Sequence, residues 1–228
     1  MRKDWAALFD WDGVIIDSAA QHEKSWERLA QHEKLPLPPG HFKRGFGMKN
    51  DRIIPDILNW THNDVEIRRL SLRKEEFYRE ILKETGLQAL PGVELWLEQL
   101  HQAHVPCAIG SSTHLANIQA SLNLIGLKKY FSAIVTAEDV EHGKPHPDVF
   151  LKAAQKLNMD AARCVVFEDA QVGIQAARNA GMKVIGVATT HPAASLKNAD
   201  LIVEKLNELR LEQIRDWFVS KSVRLSSI

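Results

Sequence analysis

Five short apolar runs punctuate the chain, at residues 5–9, 106–110, 133–136, 164–167 and 183–187, and 201–203 offers a sixth. Each has the length of a strand and is too short for a helix. Between them lie stretches with apolar residues at helical spacing. Residues 114–124 carry Leu115, Ile118 and Leu122, with Ile125 next on the same stripe. Residues 147–157 open on Pro147, suited to a first helical turn, and carry Val149, Phe150, Ala153, Ala154 and Leu157. Residues 171–180 carry Val172, Ala176, Ala177 and Ala180, and Gly181 follows where a helix-ending glycine belongs. Apolar strands alternating with amphipathic helices predict an α/β fold, a parallel sheet covered on both faces. Ligands of such sheets lie beyond the carboxyl ends of the strands. The residues just after each run are therefore the first candidates for chemistry.

The rhythm breaks once. From about residue 18 to residue 85 no strand pattern occurs. Residues 21–33 read as a helix with Trp26, Leu29 and Ala30 on one face, Pro36-Leu37-Pro38-Pro39-Gly40 is a break, and 51–60 and 64–85 read as further helices ending at Gly86. This predicts a helical insertion between the first and second strands, with its two connections near Asp17-Ser18 and at 86–91. The division is 1–17 with 86–228 as the α/β part and 18–85 as the insertion. The tail 220–228 is polar and is expected to fray.

Composition narrows the class. The chain has 228 residues, 45% apolar and 25% charged, in the range of globular proteins and unlike a disordered or disulfide-built chain. Lys+Arg and Asp+Glu are 29 each, so no basic excess points to nucleic acid. Cys107 and Cys164 both sit in apolar runs and are expected to be reduced core residues. No apolar stretch has the ~20 residues of a membrane span, and the N-terminus lacks a signal-peptide pattern. The expectation is a cytoplasmic protein without membrane or nucleic-acid partners, monomeric or weakly oligomeric.

Four strand ends carry candidate chemistry. Phe9-Asp10-Trp11-Asp12-Gly13 places two aspartates two apart after an extended run, pointing to one side, and Gly13 allows a sharp exit. Two carboxylates this close repel unless a cation intervenes; a hard divalent ion such as Mg²⁺ takes oxygen ligands and would keep one ionised. A solvated pair capping a turn is the plainer alternative. Ile109-Gly110-Ser111-Ser112-Thr113 offers hydroxyls and N–H groups to an anion, or ordinary helix capping. Gly143-Lys144-Pro145-His146-Pro147 puts a lysine before a helix, and Phe167-Glu168-Asp169-Ala170 puts two acids there. Singly, each has a routine reading. Together they assemble acids for a metal with a hydroxyl and a cation for a phosphate.

The ordered set Asp10-x-Asp12-Gly13, Ser111, Lys144 and Glu168-Asp169 resembles the haloacid dehalogenase-like (HAD) phosphohydrolase superfamily. The resemblance covers nearly the whole chain. It implies a Rossmann-like, doubly wound parallel sheet core with an inserted small all-α helical cap. The details Asp17-Ser18, His22, Trp26, Gly143-Lys144-Pro145-x-Pro147-Asp148 and Asp169-Ala170-x-x-Gly173-Ile174-x-Ala176-Ala177 are similar to the beta-phosphoglucomutase-like branch, which includes phosphoglycolate-type phosphatases. The resemblance implies Asp10 as nucleophile forming an aspartyl-phosphate, and Asp12 as the acid and base. It implies Mg²⁺ held by Asp10, the Asp12 carbonyl, Asp169 and Glu168, with Ser111 and Lys144 on the phosphoryl oxygens. Ser112, His22, Lys49 and Lys74 are the expected substrate-binding residues. Retention of Asp12 argues against dehalogenation, in which a halide leaving group needs neither acid nor metal.

The expected activity is hydrolysis of a small phosphorylated metabolite of the sugar-phosphate type. A sugar-phosphate mutase is the alternative, and a non-catalytic binder of phosphorylated metabolites is the third. The mutase needs a second cationic pocket. Its cap-loop Lys-Gly-Val-Ser-Arg corresponds here to Phe46-Gly47-Met48-Lys49-Asn50, and its Lys-Asn pair after the second motif to His114-Leu115. Arg44, Lys49 and Arg52 are the candidate substitutes. Lys74 and Tyr78 match a cap Lys-x-x-x-Tyr pattern, for which a solvated helix face is the ordinary alternative. His22 matches a cap histidine coupled to Asp12, or else is a helix-surface or packing histidine. Trp11 is expected to pack against the sheet or edge the pocket. The connections near Ser18 and Gly86 are expected to act as hinges for the cap.

Overall fold

The computed structural model describes residues 4–45 and 48–218. Six parallel strands form one sheet: β1 (Ala6–Phe9), β2 (Cys107–Gly110), β3 (Phe131–Val135), β4 (Cys164–Glu168), β5 (Lys183–Val187) and β6 (Leu201–Val203). Their order is β3-β2-β1-β4-β5-β6. The chain winds outward from β1 through β2 and β3, then crosses back to β4 and winds the other way. Order therefore reverses between β1 and β4, where an open α/β sheet leaves a crevice beyond its strand ends. Asp10 follows β1 and Glu168 closes β4, so both stand at that reversal.

Burial alternates along each central strand, as the period of two requires. Ala7, Phe9, Cys107, Ile109, Val165 and Phe167 enter one core, and Ala6, Leu8, Ala108, Cys164 and Val166 enter the other. Helices α5 (Val93–Gln102) and α6 (Leu115–Ile125) cover the first face with α9 (Leu211–Arg215). Helices α7 (Asp148–Lys156) and α8 (Gln171–Asn179) cover the second. Phe9 stacks on Phe167 at 4.5 Å between centroids, locking β1 to β4 directly behind the site. Both cysteines are free and buried, and burial pushes each thiol up to about 12.

The inserted segment is helical throughout its regular elements: α1 (Ala19–Glu33), α2 (His41–Gly45), α3 (Asn50–Arg52) and α4 (Asp64–Thr85). Helices α1 and α4 pack together around Trp26, Leu29, Leu70 and Phe77, with Ile53, Ile54 and Leu58 closing that core. The Asn63 side chain caps α4 by accepting from the Glu66 N–H at 3.1 Å.

Several elements differ from the sequence expectation. A continuous helix over 51–60 is replaced by α3 and a wide turn, Ile53–Ile57, in which Leu58 N–H donates to Ile53 O. Pro55 lies inside it; lacking an N–H and crowding the preceding turn, it cannot continue an α-helix. No element is expected at 91–103, yet α5 lies there with Val93, Trp96, Leu97 and Leu100 buried at regular helical spacing. Pro147 caps α7 instead of opening its first turn. The third strand starts at Phe131, two residues before the apolar run. Phe46, Gly47 and the tail 220–228 lie outside the described residues. Among the described residues, no helix is long and apolar enough to cross a membrane.

Candidate active site

Strand ends and insertion enclose a cleft of about 580 Å³. Asp10, Asp12, His22, Lys49, Lys74, Ser111, Ser112, Lys144, Glu168 and Asp169 all line it.

Asp10 continues directly from β1, and its N–H donates to Phe167 O, which ties it to the end of β4. Lys144 comes from the turn before α7. Its Nζ lies 2.8 Å from Asp10 Oδ1 and 2.7 Å from Glu168 Oε1, with the side chain 4% exposed. Glu168 also accepts from the Ala170 N–H at 2.7 Å, at the start of α8. Gly173 is needed there, because a Cβ on it would overlap the Glu168 carboxylate. Asp169 accepts from Thr190 Oγ1 and lies against Gly13. Gly13 has φ +79, and a Cβ would strike the Asp169 carboxylate.

Asp10, Glu168 and Asp169 thus form a cluster whose ligand oxygens lie within 4.8 Å of one another. Three carboxylates share one ammonium. Burial, then repulsion from Glu168 and Asp12, raises Asp10 to about 7 against the pull of Lys144. Burial and the neighbouring Glu168 and Asp10 charges push Asp169 well up as well. Lys144 is also held above its ordinary value: burial would expel its proton, but Asp10 and Glu168 hold it more strongly. The donor set is all hard oxygen with excess negative charge, which fits a hard divalent cation.

Asp12 has a different environment. Its carboxylate accepts from Ser18 Oγ and Thr113 Oγ1, and His22 Nε2 lies 3.4 Å from Oδ1. Burial alone would raise its pKa, but hydrogen bonds from His22, Ser18 and Thr113 with the His22 charge bring it down to about 2. The expected metal contact of Asp12 is its backbone carbonyl, and its side chain is otherwise engaged: hydroxyl and imidazole groups of Ser18, Thr113 and His22 meet its oxygens, and the side-chain cluster is Asp10, Glu168 and Asp169. Ser111 is 2% exposed, and its Oγ accepts from the Thr113 N–H at 3.1 Å.

The cap residues are placed less simply. Lys74 and Tyr78 do not face solvent: they are 2% and 0% exposed. Lys74 Nζ lies 2.7 Å from His22 Nδ1 and 3.1 Å from Glu75 Oε1. His22 also stacks on Tyr78 at 4.0 Å, so it is no surface histidine. Lys49 reaches across to Gly143, the residue before Lys144. Asn50 donates to Ser71 and Glu75. Trp11 is fully buried beside Phe131 and takes no part in the cleft lining.

Four contributors went unread in the sequence. Ser18 and Thr113 lie six and 101 positions from Asp12, and no local pattern in the sequence marks either contact. Thr190 follows β5, a strand end whose hydroxyls were a usable signal. Glu75 joins α4 to the core through Asn117 Nδ2 on α6, and nothing local marks a buried charge there.

Residues 7–187 match the family model described as haloacid dehalogenase-like hydrolase. The chain is 36% identical over 212 residues to the chloroplastic 5-amino-6-(5-phospho-D-ribitylamino)uracil phosphatase of Arabidopsis thaliana, covering 92% of this chain and 56% of that relative. It therefore spans little more than half that relative's length. It is also 36% identical over 180 residues to fructose-1-phosphate phosphatase YqaB of Escherichia coli, covering 79% of this chain and 94% of the relative. The crystal structure of beta-phosphoglucomutase from Clostridium difficile superposes with a TM-score of 0.82 at 28% identity, covering 93% of this chain and 96% of that one. A doubly wound sheet, a helical insertion after its first strand and a sequence match across most of the length agree: this chain belongs to the haloacid dehalogenase-like hydrolase family.

Proposed function

We propose that the protein is a Mg²⁺-dependent phosphatase of a small phosphorylated metabolite of the sugar-phosphate type, working through an aspartyl-phosphate on Asp10. The observation that carries this reading is the contrast between two aspartates two residues apart. Asp10 sits among acids and Lys144, while Asp12 is held apart by Ser18, Thr113 and His22. This contrast supports a role at phosphorus and metal for the first and a role in proton transfer for the second.

Asp10, Glu168 and Asp169 would hold Mg²⁺, with the Asp12 carbonyl as a further ligand. When bound, the ion supplies positive charge that keeps Asp10 ionised and neutralises phosphoryl oxygens. Lys144, Ser111 and Ser112 hold the remaining phosphoryl oxygens. The loose transition state of phosphoryl transfer asks mainly for such positioning and charge neutralisation. An Asp10 oxygen forms the bond to phosphorus as the ester P–O bond breaks, and Asp12 gives its proton to the leaving oxygen. Water then attacks phosphorus and Asp12 takes the water's proton, which releases inorganic phosphate and restores Asp10. In the described form Asp12 is ionised, ready for that second step. A phosphomonoester dianion brought alongside raises its proton affinity and prepares it for the first.

Hydrolysis is favoured over mutase chemistry because the lysine and arginine of the mutase cap loop are replaced by Phe46 and Asn50, which leaves Lys49, Arg68 and the Glu75-paired Lys74 as the cap's lysines and arginine in the cleft lining among the described residues. Asn50 stands where the mutase has arginine, and it is committed to Ser71 and Glu75. In the described form the cap touches the core through Asn117 with Glu75 and Arg79 with Asn117. Movement of 18–85 about Ser18 and Gly86 would separate these pairs and admit substrate.

The test is phosphate release from p-nitrophenyl phosphate and then from a panel of sugar phosphates, with Mg²⁺ and with chelator. Release that stops on chelation and returns with Mg²⁺ is expected. Bisphosphate-primed interconversion of sugar 1- and 6-phosphates would replace hydrolysis by the mutase, and silence throughout would leave a binder.

A further inference from the structure

A second cluster of ligating groups lies outside the cleft, on the turn that carries Lys144. His142, His146 and Asp148 bring one ligand atom each to within 4.8 Å of one another. His146 Nδ1 lies 3.0 Å from Asp148 Oδ1, and His142 Nδ1 lies 3.5 Å from Oδ2 of the same carboxylate. The imidazole rings stand 4.7 Å apart at 36°. The geometry points to a binding site for a borderline transition-metal ion of the zinc class, held by two imidazoles and one carboxylate.

The donor chemistry separates this site from the acid cluster. Asp10, Glu168 and Asp169 offer only oxygen, as a hard cation prefers. Two imidazoles with one carboxylate suit zinc, and three protein ligands leave a fourth position for water. Zinc–ligand bonds of about 2.0–2.1 Å place tetrahedral ligand atoms ~3.3 Å apart. The two His–Asp separations, 3.0 and 3.5 Å to the two oxygens of the same carboxylate, bracket that value.

The backbone is prepared for this arrangement. Pro145 and Pro147 restrict the chain on either side of His146. The His146 N–H donates to Gly143 O, and Asn179 Nδ2 donates to Pro145 O from the end of α8. Asp148 begins α7, so the carboxylate stands on a regular element. Neither imidazole packs into the core: their side chains are 58% and 48% exposed. Exposed charge pairs of this kind contribute little to stability, so folding alone gives little reason for both rings to face one carboxylate. An ion here would tie together the two flanks of the turn that holds Lys144 between Asp10 and Glu168.

Calorimetric titration of the full chain with Zn²⁺, under excess Mg²⁺, tests the assignment. Uptake of one equivalent that Mg²⁺ does not displace is expected, and Co²⁺ in its place should show the visible absorption of a tetrahedral site with nitrogen ligands. His142→Ala with His146→Ala should weaken uptake by about 100-fold or more, since even supporting residues around a metal are worth about 10–100-fold. Both side chains are exposed, so the double variant is expected to fold, with circular dichroism as the check. Absence of uptake, uptake that Mg²⁺ displaces, or uptake unchanged in the double variant would overturn the proposal. None of these outcomes touches the proposed hydrolysis, which phosphate release reads separately.

Discussion

At the strand ends, three carboxylates, Asp10, Glu168 and Asp169, cluster together, and the Lys144 ammonium pairs with the first two. In the cap, Lys74 is matched by Glu75 and His22, while Glu75 also accepts from Asn50 and Asn117. Both regions bury charge, and they resolve it differently. The rim is left with excess negative charge, and burial, reinforced by that charge, raises two of its acids. The cap is saturated: burial alone would raise Glu75, yet the Lys74 and His22 charges and the Asn50 hydrogen bond bring it down to about 2. Unbalanced buried charge marks the place where a ligand's own charge completes the site. Balanced buried charge positions a neighbour, and here the neighbour is Asp12, reached through His22.

That comparison breaks most readily at the rim. Asp10→Asn should lower phosphate release by about 10⁴-fold or more, as loss of a nucleophile does, with the circular dichroism spectrum unchanged. Near wild-type turnover would remove the nucleophile from Asp10. Asp12→Asn should cost about 10²–10⁴-fold in kcat, the usual worth of a positioned acid–base group. The loss should be smaller for a substrate with a good leaving group, such as p-nitrophenyl phosphate. An equal loss for all substrates would mean that Asp12 positions instead of moving protons.

The cap is sharpened by stability instead of rate. Glu75→Gln leaves Lys74 buried without its carboxylate and should cost about 3–5 kcal/mol in urea unfolding. The pH dependence has a definite sign. Glu75 binds its proton at about 2 when folded against 4.5 as an ordinary glutamate, so the unfolded chain is protonated first as pH falls. Its contribution is complete above about pH 4.5 and gone by about pH 2, and the Gln variant should lose that part of the slope. Arg69, 48% exposed, joins Glu33 on α1 to Glu66 on its own helix. Arg69→Ala should change stability by no more than about 1 kcal/mol. A larger loss would show that surface pairs, and not the Leu29–Phe77 core, hold the two cap helices together.

Legibility in the sequence followed the same division. Asp10, Ser111, Lys144, Glu168 and Asp169 were singled out because each follows a strand or precedes a helix in a readable local pattern. Helix α5 carries a legible pattern too, in Val93, Trp96, Leu97 and Leu100. Pro55 hid the wide turn after α3 inside a stretch with otherwise helical spacing. Lys74 resembled any lysine on a polar helix, since its neighbours in sequence, Arg73 and Glu76, are a solvated pair. Its interior place comes from α1, where His22, 52 positions away, and the Trp26 ring pack against it.

The sequence by itself determined the strands, the reversal of charge and hydroxyl character at their ends, and the helical insertion after the first. Those depend on periodicity and on neighbours a few residues apart. Tertiary structure decided which groups share a charge: Thr113 meets Asp12 across 101 positions and Lys144 meets Glu168 across 24. Electrostatic balance depends on distance and burial, and neither exists for a side chain until the packing of distant segments has removed its water.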